Sequence, residues 1–269
     1  MNILEQIVAS KKTEVARQKS LISLSELEQD PLFARPVLSL RQSLLSTPWG
    51  IIAEFKRKSP SKGWIHPEAR PQNIVPAYEK AGASGVSILT DTTFFGGAPQ
   101  DIRAIRATVG IPVLRKDFMI DPYQVYEARA MGADVILLIA ACLSPAQTAE
   151  LAATARSLGL EVLLELHHEE ELAHICEDIT VVGINNRNLK TFGVDIQTSL
   201  RLARMLPEDC LKISESGISN PASVHALRTG GFRGFLMGEH FMSGPDPGAA
   251  CRDFIKALGR EPEQNTSLC

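Results

Sequence analysis

From Trp49 onward the chain alternates short apolar runs with stretches of helical spacing, and it does so eight times. The runs lie near 51–56, 85–90, 111–116, 134–140, 161–166, 181–185, 211–215 and 234–237. Their starts fall about 20 to 34 residues apart, room each time for one helix and two loops. Val135–Ile139 is apolar throughout, as expected of a strand covered by helices on one face and by a packed interior on the other. Helix punctuation stands between the runs. Asp121-Pro122, Ser144-Pro145 and Asn220-Pro221 each set a capping side chain before a proline at the first helical position. Gly132, Gly159 and Gly230 stand where those helices should stop. No Gly-x-Gly-x-x-Gly fingerprint follows the first run, so eight units in series predict a closed barrel rather than an open doubly wound sheet.

The expected fold class is therefore α/β, a single (βα)8 TIM barrel over 49–258 with an extra N-terminal helical segment over 1–48. In that segment Ile3, Leu4, Ile7, Val8 and Val15 recur at helical spacing behind Asn2, a candidate cap. The last stretch, 259–269, is polar and reads as a short frayed tail. A length of 269 residues suits one such barrel, which typically needs about 250.

Composition narrows the function classes. At 44% hydrophobic and 22% charged, the chain has ample material for a large core. A net charge of -3 argues against nucleic acid and anionic membrane surfaces as partners. The longest apolar run is half of what a membrane span requires, and Glu5 with Lys11 and Lys12 interrupts any leader-like segment. Five cysteines, scattered and never spaced Cys-x-x-Cys, read as reduced cytoplasmic thiols without a metal.

In such a barrel the chemistry sits at the carboxyl ends of the strands. The first run ends in Glu54 and Lys56, two apart and therefore on one face with Ile52. The third ends in Lys116, on the face of Leu114, with Arg115 and Asp117 on the other. The fifth ends in Glu165, the sixth in Asn185, Asn186 and Arg187, and the seventh in Glu215 and Ser216. One strand-end charge reaching solvent is unremarkable. Five strands ending in charged or amide groups at one rim suit acid–base work on a carbonyl compound. Ser216-Gly217 after the seventh strand and Gly238-Glu239 after the eighth place glycines in the two loops where phosphate is commonly held. The basic loop 57–63, with Ser59, Pro60 and Ser61, reads either as a solvated loop or as a lid over an anionic substrate.

The run from Glu54 to Gly63 resembles the signature of the indole-3-glycerol phosphate synthase family, as do 87–91, 116–124, 183–187 and 214–218. The resemblance implies a substrate, the anilino-sugar phosphate 1-(2-carboxyphenylamino)-1-deoxyribulose 5-phosphate, with indole-3-glycerol phosphate, carbon dioxide and water as products. It implies Lys116 as general acid at the ketone, Glu165 as the acid–base group of the later steps, and Glu54 with Lys56 as an orienting pair, Lys56 also reaching the phosphate. Asn185 and Ser216 join that catalytic set. Asn185 and Arg187 resemble the groups that hold the anthranilate part, and Phe118 and Pro60 the walls around its ring. Ser59, Ser61 and Glu215 complete the substrate contacts; Ser216, Gly217, Gly238 and Glu239 fall at the phosphate cradle. No cofactor or metal is implied, and weak association with other enzymes of tryptophan biosynthesis is compatible with the family. The chain departs from the family at Glu239, where serine is common. The expectation is that this carboxylate turns away from the phosphate, capping a short helix or pairing with a cation such as Arg233.

On the residues alone two other readings stay open. A phosphosugar isomerase of the same fold would need a Cys or Asp base with an Asp acid. A non-catalytic phosphate-binding barrel would be expected to lack one of the lysines or Glu165.

Overall fold

The computed structural model describes residues 2–188 and 193–259. Most of the tail expected over 259–269 lies outside the described residues. Among these, eight parallel strands close into a barrel: β1 (Ile51–Phe55), β2 (Gly85–Leu89), β3 (Val113–Lys116), β4 (Val135–Ile139), β5 (Glu161–Leu166), β6 (Val181–Asn185), β7 (Leu211–Glu215) and β8 (Gly234–Met237). Each strand pairs with its sequence neighbours, and β1 closes the ring on β8 through Ile51–Phe235, Ile52–Leu236 and Ala53–Met237. The strands fall within two residues of the sequence expectation at every end.

Alternation along the strands separates two cores. Ile51, Ala53 and Phe55 face outward and pack with the surrounding helices, whereas Ile52, Leu114, Leu137, Leu163, Ile213 and Leu236 fill the interior. The interior is thus a packed plug beneath the rim at the carboxyl ends of the strands rather than a pore. The caps read from sequence form as hydrogen bonds: Asp121 accepts from Tyr123 N, Ser144 from Gln147 N and Asn220 from Ser223 N. Gly132 and Gly159 adopt the left-handed backbone at their helix ends; at the third helix that role passes from Gly230 to Gly231.

The N-terminal segment is three helices, α1 (Ile3–Leu21), α2 (Leu24–Glu28) and α3 (Leu40–Ser46). Asn2 caps α1 in a reciprocal capping box with Glu5. The three climb down the barrel. Ile7 of α1 reaches the interior cluster from the side of the strands' carboxyl ends, and Val15 and Leu27 pack against Tyr123 and Ala130 on the flank. At the base Leu40 and Leu44 of α3 join the interior core, while Ser43 Oγ donates to Ser84 O and Arg41 N to Glu161. No helix among the described residues is long and apolar enough to cross a membrane.

Candidate active site

Strand alternation that sends Ile52, Leu114, Leu163 and Ile213 inward sends the polar residues two positions later to the same side at the rim. Glu54, Lys116, Glu165, Asn185 and Glu215 therefore converge on one cavity of about 540 Å³ at the carboxyl ends of the strands. Every candidate residue named from the sequence lines this cavity, including Ser59, Pro60 and Ser61 of the loop after β1, and Arg187, Ser216, Gly217, Gly238 and Glu239.

At its centre Lys116 Nζ lies 2.9 Å from Glu165 Oε2 and 2.7 Å from Glu215 Oε2. Asn185 Nδ2 donates to the other oxygen of Glu165 at 3.1 Å. On the facing strand Lys56 Nζ pairs with Glu54 Oε1 at 2.8 Å. Burial disfavours the charged form of Lys116, but Glu165 and Glu215 outweigh it and hold the ammonium above its ordinary range. Burial likewise opposes ionisation of Glu165, which Lys116 and His167 nonetheless keep well below the usual carboxylate range. Glu215 goes the other way. Burial, with the Glu165 charge beside it, outweighs Lys116 and pushes it up to about 7. One ammonium shared by two buried carboxylates stabilises only one of them fully as an anion, which separates their titrations.

Two glycines make room for this arrangement. A Cβ on Gly183 would fall 2.1 Å from Glu215 Oε1, and one on Gly238 would fall 2.3 Å from Glu54 Oε1. Ser216 carries a left-handed backbone, φ 67°, immediately before Gly217 at φ 72°. For serine that conformation costs roughly 1–2 kcal/mol. The buried amide of Asn186 pins it: Nδ2 donates to Ser216 O and to Ser214 Oγ, and Oδ1 accepts from Ser199 Oγ.

The rim is tighter than a solvated loop would be. Lys58–Ser59 and Gly63–Trp64 form a small antiparallel hairpin, and Arg57 grips Asp101 through both terminal nitrogens. Glu239 pairs with cations, as expected, though with others than Arg233, and it stays among the residues that line the cavity. It opens the short helix Glu239–Met242 and meets Lys62 Nζ at 3.0 Å and Arg187 Nη2 at 3.4 Å. The reason is proximity: the hairpin and the β6 loop bring two cations over the cavity mouth. Despite partial burial, those cations with Lys56 hold Glu239 below the ordinary carboxylate range.

Several contributors were not singled out in the sequence. Ile3, Leu4 and Ile7 of α1 form an apolar wall of the cavity, and Phe95 stacks at a tilt 6.0 Å from Phe118. Helical spacing foretold α1 but not which face meets the barrel mouth. Lys11 of α1 is wholly buried and bridges Asp91 (3.1 Å) and Asp117 (2.9 Å), the residues just past β2 and β3. His167 lies two positions beyond Glu165, and its Nε2 is 3.3 Å from Glu165 Oε1; the i, i+2 spacing was the available signal. Among the described residues no group of three or more His, Cys, Asp or Glu side chains is arranged to hold a metal ion.

The family model described as indole-3-glycerol phosphate synthase matches residues 4–254. A protein of that name from Bacteroides thetaiotaomicron is 54% identical over 257 residues, covering 96% of this chain and 99% of the relative. One from an Azoarcus species is 48% identical, covering 93% and 98%. Among solved structures, the tryptophan synthase alpha subunit of Legionella pneumophila superposes with a TM-score of 0.59 at 14% identity, over 81% of this chain and 96% of that one, a likeness of fold alone. With a family model spanning the whole barrel and near-full-length relatives at about half identity, the chain belongs to the indole-3-glycerol phosphate synthase family, carboxy-lyases of tryptophan biosynthesis.

Proposed function

We propose that the cavity converts 1-(2-carboxyphenylamino)-1-deoxyribulose 5-phosphate into indole-3-glycerol phosphate, with Lys116 as the general acid. The observation that carries this reading is the placement of Lys116 Nζ within 2.9 Å of two buried carboxylates, opposite the Glu54–Lys56 pair. The anilino nitrogen pushes electron density into its ring, whose carboxylate-bearing carbon attacks the ketone carbon. Lys116 delivers its proton to the ketone oxygen as that bond forms. The bond to the carboxylate then breaks, its electron pair restores the aromatic ring, and carbon dioxide leaves. Glu165, held anionic, removes the proton from the adjacent methylene carbon and delivers it to the new hydroxyl, which departs as water. The substrate supplies both nucleophile and electron sink, so the chemistry asks for acid–base groups and positioning.

In the same proposal Asn185 and Ser216 complete the catalytic set, and Glu54 orients Lys56, which also reaches the phosphate. Phe118 and Pro60 flank the aromatic ring, and Arg187, Ser59, Ser61 and Glu215 bind substrate. Backbone N–H groups at Ser216, Gly217, Gly238 and Glu239 cradle the phosphate. We further propose division into an extension over 1–48 and a barrel over 49–258, a cytoplasmic location, no cofactor, and at most weak association with other enzymes of the pathway. The decisive experiment follows indole fluorescence after mixing purified protein with the anilino-ribulose phosphate. Emission rising to stoichiometric conversion supports the reading; a folded protein that only isomerises the sugar, or leaves it unchanged, refutes it.

A further inference from the structure

The proposed reaction has a proton deficit, and the interior holds a route that makes it good. The substrate enters carrying a carboxylate that leaves as neutral carbon dioxide, while the phosphate charge is carried through. The ketone oxygen leaves as water with two protons. One comes from Lys116, and the proton that Glu165 takes from carbon balances the other. Each turnover therefore ends with Lys116 as a neutral amine, one proton short.

Behind Glu165, away from the substrate, stands a buried imidazole. Lys116 Nζ is 2.9 Å from Glu165 Oε2, and Glu165 Oε1 is 3.3 Å from His167 Nε2. His167 Nδ1 is 3.7 Å from Glu171 Oε2. Lys116 is 14% exposed on the cavity side, His167 2% and Glu171 13%, so the series runs from the cavity through a buried imidazole to a second exposed end. Neither ring nitrogen forms a hydrogen bond of ordinary geometry, those toward Glu165 and Glu171 included, so the two contacts are ion pairs and the ring is not pinned. Glu171 is itself fixed on the short turn Glu169–His174, accepting from the backbone N–H of His167 at 2.5 Å and of His168 at 3.2 Å. The other groups facing this pair are the His168 ring, 6.3 Å away, the Cys142 thiol and the Asn185 amide shared with Glu165.

We propose that Glu171 and His167 form a back-door proton relay that recharges Lys116 after each turnover, with His167 a positioning and relay residue acting through Glu165. The proposal rests on the reaction described above. The imidazolium gives its Nε2 proton to Glu165, and Glu165 passes a proton on to the neutral Lys116 amine. The ring keeps its Nδ1 proton and, pinned by no hydrogen bond of ordinary geometry, turns over to carry the bare nitrogen to the Glu171 side, where it is reprotonated from solvent. No oxidant or co-reactant is needed, and the sum is the one missing proton. A rear entry has a use here because the mouth of the cavity is filled by substrate or product when the amine needs its proton. Geometry has a supporting thermodynamic match. Burial disfavours the imidazolium, but Glu165 and Glu171 overcome it and raise His167 to about 9, so at neutral pH it stands loaded.

The test is rapid mixing of His167→Gln with excess substrate, read by indole fluorescence. Glutamine keeps a donor for Glu165 but cannot turn a proton over. The expected trace is a burst of one product per site, followed by turnovers at least tenfold slower than the first, with added imidazole restoring the later ones. Glu171→Gln, at the partly exposed end and remote from the substrate, should give the same biphasic trace with a smaller ratio, and decides the matter if His167→Gln fails to fold. Wild-type steady-state rates in either folded variant, or a uniformly slow trace that imidazole does not alter, would overturn the relay. Absence of indole product from the unmodified enzyme would instead overturn the reaction, and is recognised by running that control first.

Discussion

Replacing Gly183 by alanine places a methyl carbon 2.1 Å from Glu215 Oε1 and 3.1 Å from Leu163 Cδ1. Ordinary contact begins near 3.4 Å, so the Glu215 carboxylate must retreat by more than 1 Å. It has little room, being 1% exposed and holding Lys116 at 2.7 Å. Overpacking at such a site costs about 1–3 kcal/mol of stability. The effect on chemistry should be larger in proportion, since a displacement of about 1 Å in a catalytic group can cost roughly 10²-fold, or about 2.7 kcal/mol in the barrier. Gly183→Ala should therefore remain folded by urea titration yet lose about two orders of magnitude in kcat, measured by continuous indole fluorescence. Adding Glu215→Asp, which shortens the side chain by one methylene, should relieve the clash and recover part of the folding stability. A folded Gly183→Ala enzyme with kcat within threefold of the parent would refute the claim that Glu215 must sit where it does.

Lys116→Met should fold but lose about 10²- to 10⁴-fold in kcat; near-parental turnover removes Lys116 from the mechanism. Glu239→Ser should change KM by less than about tenfold, because Lys62 and Arg187 already balance the carboxylate; a large gain in affinity would show net repulsion of the phosphate. Lys11→Met leaves buried Asp91 without its cation and Asp117 with Arg115 alone and should cost about 3–5 kcal/mol in urea unfolding, a loss below 1 kcal/mol meaning that Asp91 finds other donors. Asp117 is pulled down to about 2 in the folded state, Arg115 and Lys11 overcoming its burial, against 3.8 ordinarily. Its contribution is thus complete above about pH 4 and is lost as pH falls toward 2. Asp117→Asn should flatten the acid limb of a stability–pH profile, and an unchanged limb would contradict that assignment.

The strands were legible because each is a run of apolar residues bounded by helix caps, a local signal that burial in a barrel preserves. The central residues were legible for a related reason: once the strand faces are known, period two carries Ile52 to Glu54 and Leu114 to Lys116. What period two does not encode is contact between distant segments. Glu239 was expected to cap a short helix or to pair with a cation such as Arg233, six residues away in sequence, and its cations arrive instead from the β1 and β6 loops through closure of the ring. Lys11 reads as an ordinary polar position of α1, and only the docking of that helix makes it a buried cation among Asp91 and Asp117. The hairpin after β1 was equally hidden, since two-residue strands leave too short a pattern to distinguish from a loop.

The docking of α1 also limits how this enzyme could be cut and recombined. A barrel graft beginning at Trp49 would carry every strand-end acid and base. It would arrive without the wall made by Ile3, Leu4 and Ile7, and with two buried aspartates missing the ammonium that joins them. The portable unit for a chimera is therefore α1 together with the loops after β2 and β3, three discontinuous pieces of sequence that must come from one parent.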